Sequence, residues 1–269
     1  LFVSIMTEAA GSTANVSARD TLPIIMDPYN GLAPDLGEYQ NGVLYMDRVK
    51  GLDDEDSNPF QTYLEKATGY YSTKKTLLYA ENPHPFYELY VCNDIKYHKY
   101  RFTGHRDTRP EITISDATVE KLEAESKYVI IEGIGGIGKS MFLTHLFLTS
   151  VSNISETGIV PLFLSLKDYR DTTDNVVDFI WKSLCVYDPN TSKNVIIEAL
   201  QNKELVLLLD GLDEIQSSVR ESFESDLEAF IKSYNGNTII ITSRPIYNSF
   251  VSFSKFSVFD IQPLSKEQA

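Results

Sequence analysis

The sequence predicts an α/β fold: a five-stranded parallel sheet flanked by helices, preceded by a mixed α+β N-terminal extension. Two patterns and one bulk property predict it. Five short apolar runs, Tyr128–Ile131, Val160–Leu166, Leu205–Leu209, Thr238–Ile241 and Ser257–Ile261, read as strands buried on both faces, as parallel sheets require. Between them, apolar residues recur every three or four positions, the spacing of a helix with one buried face. These are Phe142 and Leu146; Val176, Val177, Ile180 and Leu184; and Val219, Phe223, Leu227 and Phe230. At 269 residues with 42% hydrophobic and 12% aromatic content, the chain can bury the core that such an alternation needs.

Taken in order, residues 1–26 read as a flexible or linker segment, because 7–22 (TEAAGSTANVSARDTL) are rich in Ser, Thr, Ala and Gly without an apolar period. Residues 27–114 read as an accessory region. Asp27 to Phe60 holds eight acidic residues against Arg48 and Lys50, and its prolines and glycines leave room only for short strands such as Val43–Met46. Eight of the sixteen tyrosines then fall between Tyr63 and Tyr100, first in a helix capped near Ser57 (PFQTYLEKATGYY), then in an extended run, PFYELYVCNDIKYHKYRF. Lys96 to Arg109 carries a local net charge of +4 among Tyr97, Tyr100 and Phe102. That pattern suits single-stranded nucleic acid, but a hairpin of Ile95–Phe102 and Glu111–Ile114 around the turn GHRDTRP accounts for it as well and is the commoner case. Residues 115–269 form the sheet domain. Trp181, the only tryptophan, is assigned to the core.

Lys plus Arg 24 against Asp plus Glu 38 gives a net charge of −14, which repels phosphate backbones and anionic lipid, so no nucleic-acid partner and no membrane are expected. No apolar run approaches the roughly 18 residues of a membrane-spanning helix. Two cysteines, Cys92 and Cys185, make neither a disulfide framework nor a zinc pattern, and Cys92, His98 and His105 match no metal-ligand spacing. A reducing, cytoplasmic location follows as the expectation. The chain opens on Leu1 without a signal-peptide pattern, and a fragment of a longer protein is expected.

Gly133-Ile-Gly-Gly-Ile-Gly138-Lys139-Ser140 fits G-x-x-x-x-G-K-[ST], follows the strand YVIIE and opens the helix MFLTHLFL. Backbone amides freed by the glycines, with the positive end of the helix, cradle phosphate oxygens. The reading assigns Gly133, Ile134, Gly135, Gly136, Ile137, Gly138, Lys139, Ser140 and Met141 to nucleotide binding, with Lys139 on the β and γ phosphates and Ser140 on Mg²⁺. His145, inside that helix, is a bystander. The strand LVLLLD ends in Asp210, placed for the Mg²⁺ shell, and Asp213 and Glu214 follow within four residues, either of them suited to polarise an attacking water. The alternative is that these two acids cap the next helix. A third strand, TIIITSRP, delivers Ser243 and Arg244 to the same sheet edge, where either could sense the γ-phosphate; the alternative is that Arg244 is a surface arginine before a proline turn.

Together these segments, LLLDGLDE above all, resemble the NACHT family of signal-transduction P-loop NTPases (STAND class), with bacterial NLR-related defence proteins among them. PLFLSLKDYRDT and ITSRP stand where that family has its second and sensor strands, and PFYELYV resembles the segment ahead of the nucleotide domain in bacterial members. The resemblance covers about Tyr128 to Ala269 and implies ATP or ADP with Mg²⁺ as cofactors. It implies slow ATP hydrolysis that controls oligomerisation, with Asp213, Glu214 and Arg244 as catalytic residues and self-association in the full-length protein. It also implies a winged-helix region beyond Ala269. The Asn- and Tyr-rich, Lys-over-Arg style is similar to the bacterial, antiphage kind. An AAA+-like remodelling ATPase is the alternative, but Gly211 stands where that kind places an acid.

Overall fold

A computed structural model describes residues 21–25, 38–40, 43–47, 58–75, 83–97, 112–170, 175–245 and 255–264. Contacts divide the chain into two compact units, Leu1–Tyr90 with Ser152–Thr157, and Val91–Val151 with Gly158–Ala269.

In the first unit, strands β1 (Thr21–Ile25), β2 (Glu38–Gln40) and β3 (Val43–Asp47) form an antiparallel sheet in the order β1-β3-β2. The backbone is thus a strand at the end of the segment read as flexible, because the β-rich run Thr21–Ile25 finds a pairing partner in Val43–Asp47, where a strand was expected. The Gln61–Tyr71 helix buries Tyr63, Leu64, Ala67, Thr68 and Tyr71, one face at helical spacing. Its expected cap near Ser57 lies outside the described residues; Asn58 Oδ1 accepts from the Phe60 amide at 2.9 Å. Strands β4 (Thr73–Lys74) and β5 (His84–Pro85) pair antiparallel. The extended run expected over PFYELYV begins instead with a helical turn, Phe86–Leu89, entered through Pro85. That turn brings Phe86 and Tyr90 into a stack with centroids 4.8 Å apart, which leaves Phe86 with no exposed surface.

In the second unit, seven strands form one sheet in the order β7-β6-β12-β8-β11-β10-β9. The five expected strands are its parallel core: β8 (Tyr128–Glu132), β9 (Val160–Ser165), β10 (Leu205–Asp210), β11 (Thr238–Ser243) and β12 (Ser257–Ile261). Two more strands, β6 (Ile95–Tyr97) and β7 (Ile112–Ile114), add antiparallel at the β12 edge, so both strands of the expected hairpin, although they precede the boundary at 114/115, are part of this sheet. The turn GHRDTRP lies outside the described residues. Tyr97 stacks on Phe259 at 4.6 Å and its hydroxyl meets Ser257 Oγ at 3.0 Å, so this aromatic is spent on sheet packing.

The Lys139–Ser152 helix is buried continuously from Phe142 to Val151, and Thr144, His145, Thr149 and Ser150 are buried with its apolar residues. The Val176–Cys185 and Ser217–Ser233 helices bury the expected positions Val176, Val177, Ile180 and Leu184, and Val219, Phe223, Leu227 and Phe230. A further helix, Lys193–Asn202, which the sequence reading does not include, starts at a Ser192 cap and ends on Lys203 at φ 64°. Trp181 donates to the Thr191 carbonyl at 2.9 Å and so ties the loop between these helices to the first of them. Among the described residues no helix is long and apolar enough to cross a membrane.

Candidate functional site

Five parallel strands present their carboxyl ends at one edge, and residues that follow β8, β10 and β11 gather there. From β8 the chain enters the glycine-rich loop, whose first amide, Gly133, donates to the Ser243 carbonyl at the end of β11 (3.2 Å). A Cβ at Gly133 would sit 2.4 Å from Ile261 Cγ2, so only glycine lets the loop leave the sheet beside β12. Gly136 and Gly138 have φ of 80° and 106°, and the helix opens at once, with the Phe142 amide donating to the Gly138 carbonyl at 2.8 Å.

Lys139 folds back over this loop. Its Nζ donates to the Gly133 carbonyl at 2.7 Å and the Ile134 carbonyl at 3.1 Å. Burial is the main cause that holds its pKa below the ordinary lysine value; Arg244 lowers it too, while Asp213, Asp210 and Glu214 pull it up. One ammonium therefore feels all four other charged residues of the predicted site.

Asp210 closes β10, and its Oδ1 accepts from Thr242 Oγ1 at 2.6 Å. At Gly211 the backbone turns left-handed, φ 82°, into a 3₁₀ turn over Leu212–Glu214. That turn folds the Glu214 carboxyl back over Gly211, where a Cβ would lie 3.0 Å from Glu214 Cδ. Asp213 faces Arg244 with both oxygens: Oδ1 accepts from the Arg244 amide and Oδ2 from its Nε, each at 3.0 Å. The Arg244 side chain is 63% exposed and Asp213 17%, so Asp213 holds Arg244 at its backbone amide and at Nε of the guanidinium while most of the side chain stays in solvent, with Cζ 3.7 Å from where a Gly135 Cβ would stand. Neither acid caps the following helix. Its N-cap is Gln216, with no side-chain hydrogen bond.

The loop, Lys139, Asp210, Asp213, Glu214 and Arg244 thus lie together; Ser140 sits exposed and Met141 half-buried in the first helical turn. Two further residues belong to this edge that the sequence reading did not single out. Thr242, with no exposed surface, bridges Asp210 and Gly211. Its signal was its register, one step past the apolar run and opposite Asp210. Asn93, 4% exposed, donates from Nδ2 to the Gln262 carbonyl at 2.9 Å and brings Oδ1 to 3.5 Å from the Cβ position of Gly138. A contact across 169 positions leaves no local trace in sequence. Among the described residues no group of three His, Cys, Asp or Glu side chains forms a metal cluster.

The donor set fits a magnesium nucleotide: a strand-to-helix glycine loop with a lysine over it, and beside it a carboxylate with one oxygen already held. The family model for the NACHT domain matches residues 127–269. No curated protein matches the sequence. Among solved structures, that of C. elegans PCH-2 aligns with a TM-score of 0.35 and 11% identity, over 52% of this chain and 36% of that one, so the chain spans little more than a third of its length.

Proposed function

Because the chain belongs to the NACHT family of P-loop NTPases, matched over more than half its length, we propose that it is an ATP/ADP-binding switch whose slow, Mg²⁺-dependent ATP hydrolysis controls self-association. A nucleotide-binding NTPase is what the family itself establishes. One arrangement supports a nucleotide site: Lys139 lies over the glycine loop, and Asp210, Asp213, Glu214 and Arg244 stand at the same sheet edge, close enough to act on its ammonium.

In this reading the amides of residues 133–141 and the Lys139 ammonium hold the phosphates. Ser140 and Asp210 hold the magnesium ion, which when bound neutralises charge on the phosphate oxygens. Glu214 accepts a proton from the attacking water at its carboxylate, because Asp213 already has both oxygens on Arg244. The exposed Arg244 guanidinium, beside the loop at Gly135, answers to the outermost phosphate, and its bond to Asp213 couples that answer to the acid pair. Two supports favour a switch over a fast enzyme: one acid of the pair is engaged, and the other is folded against Gly211. The composition similar to bacterial members of the family supports antiviral, antiphage or innate-immune-like signalling in the cytoplasm.

The test is thermal unfolding with Mg·ATP or ADP. A ligand at 100 times its Kd adds about 2.7 kcal/mol to the native state. Lys139→Ala is expected to abolish the rise in Tm; a full rise in that variant would place the phosphate site elsewhere.

A further inference from the structure

We infer that Thr242 is a positioning residue for the magnesium-binding edge of this site: its single hydroxyl sets both the Asp210 carboxylate and the turn that begins at Gly211. The inference rests on the nucleotide-site reading above and adds to it a residue from a strand that carries neither the loop nor Asp210.

Strand β11 runs between β8 and β10, paired with both. The register Leu209↔Ile241 and Thr242↔Ile131 sets Thr242 between Asp210 on one side and the end of the strand feeding the loop on the other. Its side chain has no exposed surface, so its hydroxyl has no water to fall back on. The proton arrangement follows from the partners. An amide can only donate, so Oγ1 accepts from the Gly211 N–H at 2.8 Å and gives its one proton to Asp210 Oδ1 at 2.6 Å.

Both bonds answer a need created by the turn. At φ 82° Gly211 leaves the strand, so its buried amide falls out of the ladder and must find another acceptor. The same hydroxyl holds the Asp210 carboxylate against rotation and occupies Oδ1, which leaves Oδ2 for a hard cation. Without it the carboxylate reorients at each binding event, and the cost falls on the metal before it falls on the phosphates.

The measurement is the Mg²⁺ dependence of ADP-induced stabilisation, followed by Tm, for wild type, Thr242→Val and Thr242→Ser. Valine keeps the shape and deletes the hydroxyl; serine keeps the hydroxyl. In Thr242→Val the Mg²⁺-free ADP shift is expected to persist, while the Mg²⁺ concentration for half effect rises about tenfold or more, the usual weight of a partner that orients a metal ligand. Thr242→Ser is expected to stay within about twofold of wild type, since its hydroxyl can make the same two bonds. If Thr242→Val does not fold, Thr242→Cys, with a weak donor of similar size, takes its place and is expected to show the same rise. A valine or cysteine variant with the wild-type Mg²⁺ midpoint, or a serine variant as impaired as valine, overturns the assignment. A wild-type protein with no ADP shift overturns the nucleotide reading itself, and this inference with it.

Discussion

Acidification should weaken the fold through one residue, His145. Burial in the Lys139–Ser152 helix lowers its pKa from the ordinary 6.5 to about 4, against the opposing pull of a hydrogen bond to the Ala117 backbone and of Asp116. In the unfolded chain the ring takes its proton near pH 6.5, in the folded chain only near 4, so the unfolded state binds more protons between those values. Stability is therefore intact above 6.5 and is lost as pH falls toward 4. At 1.36 kcal/mol for each tenfold difference in proton affinity, the whole loss is about 3 kcal/mol, of which about 1 kcal/mol appears between pH 7.5 and 5.5. Working in that interval keeps the protein clear of its isoelectric point near 4.7. The assay is urea unfolding followed by circular dichroism at pH 7.5, 6.5 and 5.5, for wild type and His145→Gln. The glutamine costs some stability at every pH, so the quantity read is the difference in slope. Parallel curves for the two proteins would refute the reasoning, since they would mean that His145 exchanges its proton as freely folded as unfolded.

Gly211→Ala puts a Cβ 3.0 Å from Glu214 Cδ on a left-handed backbone, at a combined cost of about 2 kcal/mol. Thermal unfolding is expected to show a Tm lower by roughly 4–8 °C, with hydrolysis reduced because Glu214 is displaced; an unaltered Tm would mean that the turn has another conformation open to it. Glu214→Gln is expected to retain the nucleotide-induced rise in Tm and to lower ATP turnover by roughly 10² to 10⁴, the weight of a positioned base. Asp213→Asn, which loosens the hold on Arg244, is also expected to lower turnover with binding kept. Wild-type turnover in both amide variants would reduce the two acids to structural residues.

The parallel core was legible because strands buried on both faces must be written as unbroken apolar runs: Leu205–Leu209 is such a run, and every residue in it is at most 1% exposed. The loop and its lysine were legible because phosphate binding needs particular residues at fixed separations along one stretch of chain. The Phe86–Leu89 turn was not, since its aromatics look like strand residues and only the Phe86–Tyr90 stack selects the helix. The Lys193–Asn202 helix was missed because its buried positions, Ile196, Ala199 and Leu200, are few and one of them is alanine. At the site, the sequence left Asp213 and Glu214 interchangeable. Their difference comes from Arg244 and Gly211, and for Arg244 from a contact that crosses between strand ends.

The position of β12 between β6 and β8 bears on how the chain acquires this site during synthesis. Strand β8 emerges early, yet both of its neighbours in the sheet come late: β11 at Thr238–Ser243 on one side and β12 at Ser257–Ile261 on the other. For that interval an apolar strand shows open edges, the kind of surface on which chains associate wrongly. The hairpin of β6 and β7 waits as long, and is tied down only when Asn93 and the Asp94 carbonyl bond to Gln262. Pairings this distant in sequence are slow to close. Substitutions in Ser257–Ile261 would then reveal themselves first in the yield of soluble protein, before any change in how the finished molecule handles nucleotide.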